Sequence, residues 1–161
     1  MNLTRRAYLL ATGSLALVGT TGLSGCTTLL ANPDPDPTDV SYLPTEPAYD
    51  GWFDNVSTYR ATHDLREQSA VTVTVGAKDV FGHFKFGPAA VAVSPGTSVT
   101  WRWSGKGGAH DVVALDGGFE SPLTDRAETT FTHTFDAPGV YKYYCTPHRG
   151  MGMKGAVVVV G

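Results

Sequence analysis

Ten consecutive residues hold the densest chemistry in this chain: Tyr144-Cys145-Thr146-Pro147-His148-Arg149-Gly150-Met151-Gly152-Met153. They offer a thiol, an imidazole and two thioethers. A thiolate, two imidazoles and one weak axial thioether form the donor set of a blue-copper site. The spacing makes physical sense. A Cys at a strand end and a His three residues later can converge on one ion if the chain turns between them. Pro147 stiffens that turn, and Gly150 and Gly152 free the backbone to fold back and bring a Met toward the ion. Met151 and Met153 are both within reach on this argument. The second imidazole must come from elsewhere, and His110 is the best candidate. It follows the flexible run Gly105-Lys106-Gly107-Gly108-Ala109 and opens the apolar stretch to Leu115.

Taken singly, Cys145 reads as an inert buried thiol and His148 as a loop histidine. Only the combination with His110 and a Met carries a site. His133 shares a strand face with Phe131 and Phe135 and reads as a packed side chain, and His63 and His83 read as surface residues. A copper-delivery protein would favour Met-rich or Cys-x-x-Cys segments, and a multicopper oxidase would need several His-x-His pairs. The chain has neither. With four protein ligands, no coordination position is left open for a substrate. The chemistry expected is therefore electron transfer rather than catalysis.

Such donors need a rigid frame. From residue 71 onward the sequence is rich in strand patterns. Val71-Thr72-Val73-Thr74-Val75 alternates strictly, and Val99, Trp101 and Trp103 share one face of a second run. Further runs cover 89–93, 110–115, 129–135, 140–144 and 155–160, punctuated by Pro95-Gly96 and Asp136-Ala137-Pro138-Gly139. Short strands at this spacing suggest an all-β sandwich, and Greek-key connections are expected. Loops gather at the ends of a sandwich, so His110 can meet the Cys145–His148 pair there. Val157 to Val160 has no polar face and is expected to be covered on both sides. Residues 50–70 read as a packed extension with aromatic anchors, with a short helical turn over 62–68.

These residues resemble the cupredoxin family, most closely its halocyanin branch, relatives of plastocyanin. The resemblance runs from about Asp50 to Val160. It rests on Tyr49-Asp50-Gly51-Trp52-Phe53, Gly105-Lys106-Gly107-Gly108-Ala109-His110, Pro138-Gly139-Val140-Tyr141 and Tyr143-Tyr144-Cys145-Thr146-Pro147-His148. It implies a Greek-key sandwich of about eight strands. It also implies one type-1 copper ion and one-electron transfer between redox protein partners at the outer face of a membrane. Gly152-Met153-Lys154-Gly155 resembles the segment bearing the ligand Met of plastocyanins and halocyanins, which favours Met153 over Met151. The implied ligands are His110, Cys145, His148 and Met153. One position departs from the family pattern. Asn commonly follows the upstream His, and here that residue is Asp111. A carboxylate there would still accept hydrogen bonds but would favour Cu(II) and lower the potential.

The N-terminus reads as an address. Arg5-Arg6 precedes an apolar run of about ten residues, far short of the roughly 20 that span a bilayer, and matches a twin-arginine export signal. Leu23-Ser24-Gly25-Cys26 resembles a lipoprotein cleavage site that would leave Cys26 N-terminal and lipidated. Cys26 and Cys145 are the two cysteines of the chain, and a lipidated Cys26 is not available for a disulfide. Residues 1–25 are thus expected to be a signal peptide, 26–49 a tether and 50–161 the domain. Asn32-Pro33-Asp34-Pro35-Asp36-Pro37 lies in that tether and suits an extended, solvated chain. The expected state is a monomer anchored by lipid to the outer face of the cell membrane. With a net charge of −3, nothing suggests a nucleic-acid binder, which should carry a basic face. Asn55-Val56-Ser57 matches a glycosylation sequon but is short enough to arise by chance.

Overall fold

The structure, a computed structural model, describes residues 40–161. The expected signal peptide, Cys26 and the Pro/Asp run lie outside the described residues.

Alternation in the sequence becomes two facing sheets. In β2 (Ala70–Asp79) Val71, Val73 and Val75 are buried, while Ala70, Thr72 and Thr74 face out. β5 (Thr97–Trp103) lies parallel to β2, and the register pairs Val73 with Trp101 and Val75 with Trp103. β3 (Gly82–Gly87) flanks β2, and β7 (Thr130–Phe135) flanks β5, completing a four-stranded sheet. The second sheet has the order β1-β4-β9-β8-β6. Its strands are β1 (His63–Asp64), β4 (Ala90–Val93), β6 (Val113–Ala114), β8 (Gly139–Tyr144) and β9 (Lys154–Val159). Among the described residues the sandwich expected from the pattern is therefore present, with nine strands in two mixed sheets.

Both faces of β4 and β9 are buried, as the apolar run at Val157 requires. Val91, Val93, Val157 and Val159 join Val73, Trp101 and Phe135 in the core between the sheets. Ala90, Ala92, Ala156 and Val158 point the other way and meet Tyr49, Trp52, Phe53 and Val56. Alanines on that outer face leave room for aromatic rings, so residues 49–59 form a third layer. Phe53 stacks on Tyr59 at 4.0 Å between centroids, and Tyr49 meets Phe53 edge-on at 4.7 Å. Burying such rings contributes about 25 cal/mol per Å² of apolar surface.

Two expectations differ from the structure. The chain is already folded before residue 50. Tyr42 bridges to His63, Leu43 N–H donates to Thr62 C=O at 2.9 Å, and Tyr49 is buried. The Glu46 carboxylate accepts from Thr62 N–H, Thr62 Oγ1 and Tyr59 Oη at 2.7–2.8 Å. The Pro/Asp alternation stops at Pro37, and the aromatics that follow supply anchors. The short helical turn expected over 62–68 is instead β1, parallel to β4, followed by a turn closed by Gln68 N–H to Leu65 C=O.

The topology gathers the loops of interest at one end. β6 pairs with β8 as Val113 to Tyr144 and Ala114 to Tyr143. That register sets the residues before β6, His110 and Asp111, beside the residue after β8, Cys145.

Candidate metal centre

Cys145 is fully buried, and its backbone enters a 3₁₀ turn over Thr146–Met151. Pro147 sits in the first turn, where its missing N–H costs nothing. The backbone then folds back on itself. His148 N–H donates to Cys145 C=O at 3.2 Å, Met153 N–H to His148 C=O at 3.1 Å, and Cys145 N–H to Met153 C=O at 3.0 Å. The reversal needs Gly152. Its φ is +79°, and a Cβ there would lie 2.0 Å from the Asn55 carbonyl oxygen. Gly150 has open space around it, so of the two glycines it is Gly152 that the loop requires.

His110 arrives from the other loop and is 1 % exposed. Its backbone exchanges two hydrogen bonds with Thr124, at 2.9 and 3.0 Å, and its carbonyl accepts from Trp103 Nε1 at 3.0 Å. The ring Nε2 lies 2.9 Å from Lys106 C=O. A carbonyl only accepts, so Nε2 carries the proton and Nδ1 presents a lone pair. Gly107 makes this possible: with φ at +83°, a Cβ there would press to 3.0 Å from that Nε2 and to 2.3 Å from the His83 carbonyl oxygen.

Three donor atoms converge. His110 Nδ1 and His148 Nδ1 are 3.1 Å apart, and Cys145 Sγ is 3.6 and 3.4 Å from them. They form the one His/Cys/Asp/Glu group able to hold a metal ion among the described residues. All three donor atoms lie within 4.8 Å of one another, close enough to share a single ion. Met153 is fully buried in the same core cluster as Cys145, whereas Met151 is 49 % exposed.

Burial sets the protonation of the donors. It pushes the Cys145 thiol up to about 12, with the Asp111 charge adding to the effect against hydrogen bonds that lower it. Burial lowers both His110 and His148, and the neighbouring imidazole lowers His148 further. Both rings are therefore neutral near pH 7, with lone pairs available. A metal binding here displaces the thiol proton, as thiolate ligation requires.

Asp111 is 7 % exposed, and its Oδ1 accepts from Thr146 N–H at 2.6 Å, joining the two ligand loops. An Asn in its place keeps an acceptor but removes the charge. Asp111→Asn is expected to raise the potential of the copper-loaded protein by ~60 mV, a tenfold change in the oxidised-to-reduced ratio. Voltammetry of the pair of proteins measures it.

The remaining candidates fall elsewhere. His133 packs on Phe119 and Phe135 as a core-edge side chain. His83 Nδ1 is 3.1 Å from Gly76 C=O, and His63 packs edge-on against Tyr42, so both are held rather than free on the surface. Asn55 is exposed, but its Nδ2, the atom a glycan would take, donates to Gly150 C=O at 3.2 Å. Four contributors escaped sequence reasoning. These are the Lys106 carbonyl, Thr124, the Phe84 ring 4.9 Å from that of His148, and Lys85, whose Nζ donates to Met151 C=O at 2.5 Å. Backbone acceptors carry no residue-type signal. Lys85 alone could have been noticed, as a cation inside an otherwise aromatic strand.

Residues 71–160 match the family described as copper binding proteins of the plastocyanin/azurin family, and the chain belongs to it. It is a halocyanin-like cupredoxin whose cofactor is one copper ion, and the donor geometry above fits that ion. It is 50 % identical over 99 residues to halocyanin of Natronomonas pharaonis, covering 60 % of each chain. It is 37 % identical over 101 residues to the chloroplastic plastocyanin of Physcomitrium patens, covering 56 % of this chain and 58 % of that one. The chain thus spans about three fifths of the length of these relatives. A solved purple cupredoxin from Nitrosopumilus maritimus is 30 % identical, with a TM-score of 0.45 over 56 % of this chain and 99 % of that one.

Proposed function

We propose that this chain is a type-1 blue copper protein that carries single electrons between redox partner proteins, with its copper held by His110, Cys145, His148 and Met153. The observation that carries this reading is the convergence of two imidazole nitrogens and one sulfur within 3.1–3.6 Å. Bound copper supplies a one-electron couple between Cu(I) and Cu(II). The protein's own part is to hold the donors in one arrangement for both states. His110 is locked through Lys106 and Thr124, and Cys145 through Met153 and the core. Four donors from the chain leave no open position for a substrate, so the reading is a carrier and not an enzyme. His148 is half-buried at the end of the sandwich, beside exposed Pro147, Gly150 and Met151. Electrons pass through that edge to partners docked briefly on a small interface, under ~1,200 Å².

The test is direct. Copper-loaded, oxidised protein should be intensely blue through the Cys145 thiolate and should bleach reversibly with a mild reductant. A colourless Cu(II) form would end the type-1 assignment.

Membrane attachment belongs to the same proposal. It is supported by Arg5-Arg6, the apolar run after them and the cleavage-site pattern ending at Cys26. Acyl chains contribute about 0.8 kcal/mol per buried CH₂. On this reading, residues 26–39 tether the domain at the outer face of the membrane. Cys26→Ser should move the protein from the membrane fraction to the soluble exported fraction; unchanged fractionation would contradict the anchor.

A further inference from the structure

The stretch between the two donors His148 and Met153 contains Gly150 and Gly152, and glycines lose the most backbone freedom on ordering. Within the loop, Gly152 N–H to Arg149 C=O and Met153 N–H to His148 C=O tie it internally. Three consecutive residues are also tied from outside. Asn55 Nδ2 donates to Gly150 C=O at 3.2 Å, Lys85 Nζ to Met151 C=O at 2.5 Å, and Gly152 lies against the Asn55 carbonyl, which occupies the space a Cβ would need.

Lys85 is the notable member. Its side chain is 4 % exposed, and a lone buried cation is costly. It is compensated by Asp79, whose Oδ2 lies 3.6 Å away and whose side chain is equally buried. Asp79 is held in turn by Ser57 Oγ at 2.7 Å and by Phe81 N–H at 2.8 Å. The network thus runs from the third layer, through the β2–β3 hairpin, into the ligand loop. Trp52 adds a second arm: Nε1 donates to Gly155 C=O at 3.0 Å, its carbonyl accepts from Lys154 Nζ at 2.8 Å, and its ring lies under the Arg149 guanidinium at 5.5 Å.

We propose that residues 52–57, together with the Asp79–Lys85 pair, form a brace that positions the loop from His148 to Met153 and thereby the two donors at its ends. This rests on the metal-centre reading above. Lys85 and Asn55 are positioning residues, acting through the backbone of Gly150 to Gly152. Loosening the brace frees the loop in the metal-free protein and alters the ligand field in the loaded one.

The experiment compares Lys85→Met, Asn55→Ala and a control, Val93→Ala, which opens the core at the end of β4 paired with Val159. In metal-free protein, amide exchange at Gly152 and Met153 should quicken at least tenfold in both brace variants. In copper-loaded protein, both should alter the relative intensities of the visible bands. Lys85→Met should also lower the potential through an about threefold change in the oxidised-to-reduced ratio, ~30 mV, since it removes a cation beside the loop. Val93→Ala should lower Tm and leave all three readouts in place. Unchanged exchange and spectra in the brace variants, or equal changes in Val93→Ala, would overturn the proposal. Asn55 is exposed, so Asn55→Ala carries the test if Lys85→Met does not fold. A colourless wild type would instead refute the metal-centre reading, and the metal-free exchange would still judge the brace.

Discussion

Cys145→Ser is expected to erase the visible absorption of the copper-loaded protein and to remove most of the stabilisation that copper confers. A hydroxyl does not ionise as a thiol does, and it is a hard donor where Cu(I) requires a soft one. Copper binds the native state and stabilises it by mass action. At a thousandfold excess of free metal over Kd the contribution is about 4.1 kcal/mol. For a domain of this size each kcal/mol moves Tm by about 3–5 °C, so copper should raise the wild-type Tm by roughly 12–20 °C. In Cys145→Ser the gap between chelated and loaded samples should fall to a few degrees. Calorimetry with and without chelator, alongside the visible spectrum, checks both parts. A variant that keeps its colour and its full thermal gap would remove Cys145 from the site.

The second large effect separates two methionines only two residues apart. Met153 is completely buried in the main core, while Met151 is half-exposed. Met153→Ala should therefore cost ~2–5 kcal/mol in metal-free protein, the range for a buried Met truncated to Ala. Met151→Ala should stay within about 0.5 kcal/mol. Stability alone does not prove ligation, so the leucine variants complete the comparison. Met153→Leu conserves volume and should cost under about 1.5 kcal/mol, yet it removes the thioether and should shift the potential. Met151→Leu should leave the potential in place. Denaturant melts and voltammetry give both numbers, and a shift confined to Met151→Leu would exchange the two assignments.

The sequence made the sandwich legible wherever one face was buried and the other was wet. Val71 to Val75 and Val99 to Trp103 alternate because their strands divide core from solvent. The site was legible because soft and imidazole donors at such spacing have few other uses. Asp111 was legible as a departure from the family pattern, but its bond to Thr146 N–H was not, because that contact joins two loops distant in sequence. The third layer was seen only as aromatic anchors. Its cause lies across the fold, in the small outer residues Ala90, Ala92 and Ala156 that receive those rings. The folding of residues 40–49 was missed for a similar reason. Glu46 holds Thr62 and Tyr59 through side-chain hydrogen bonds that leave no periodic trace.

X-ray absorption at the copper edge reads the donor atoms themselves. On the type-1 assignment, the coordination shell holds two nitrogens and one short sulfur, nearly the same in oxidised and reduced protein, with the short sulfur absent in Cys145→Ser. A shell of nitrogen and oxygen only, or a short sulfur that persists in that variant, would contradict it.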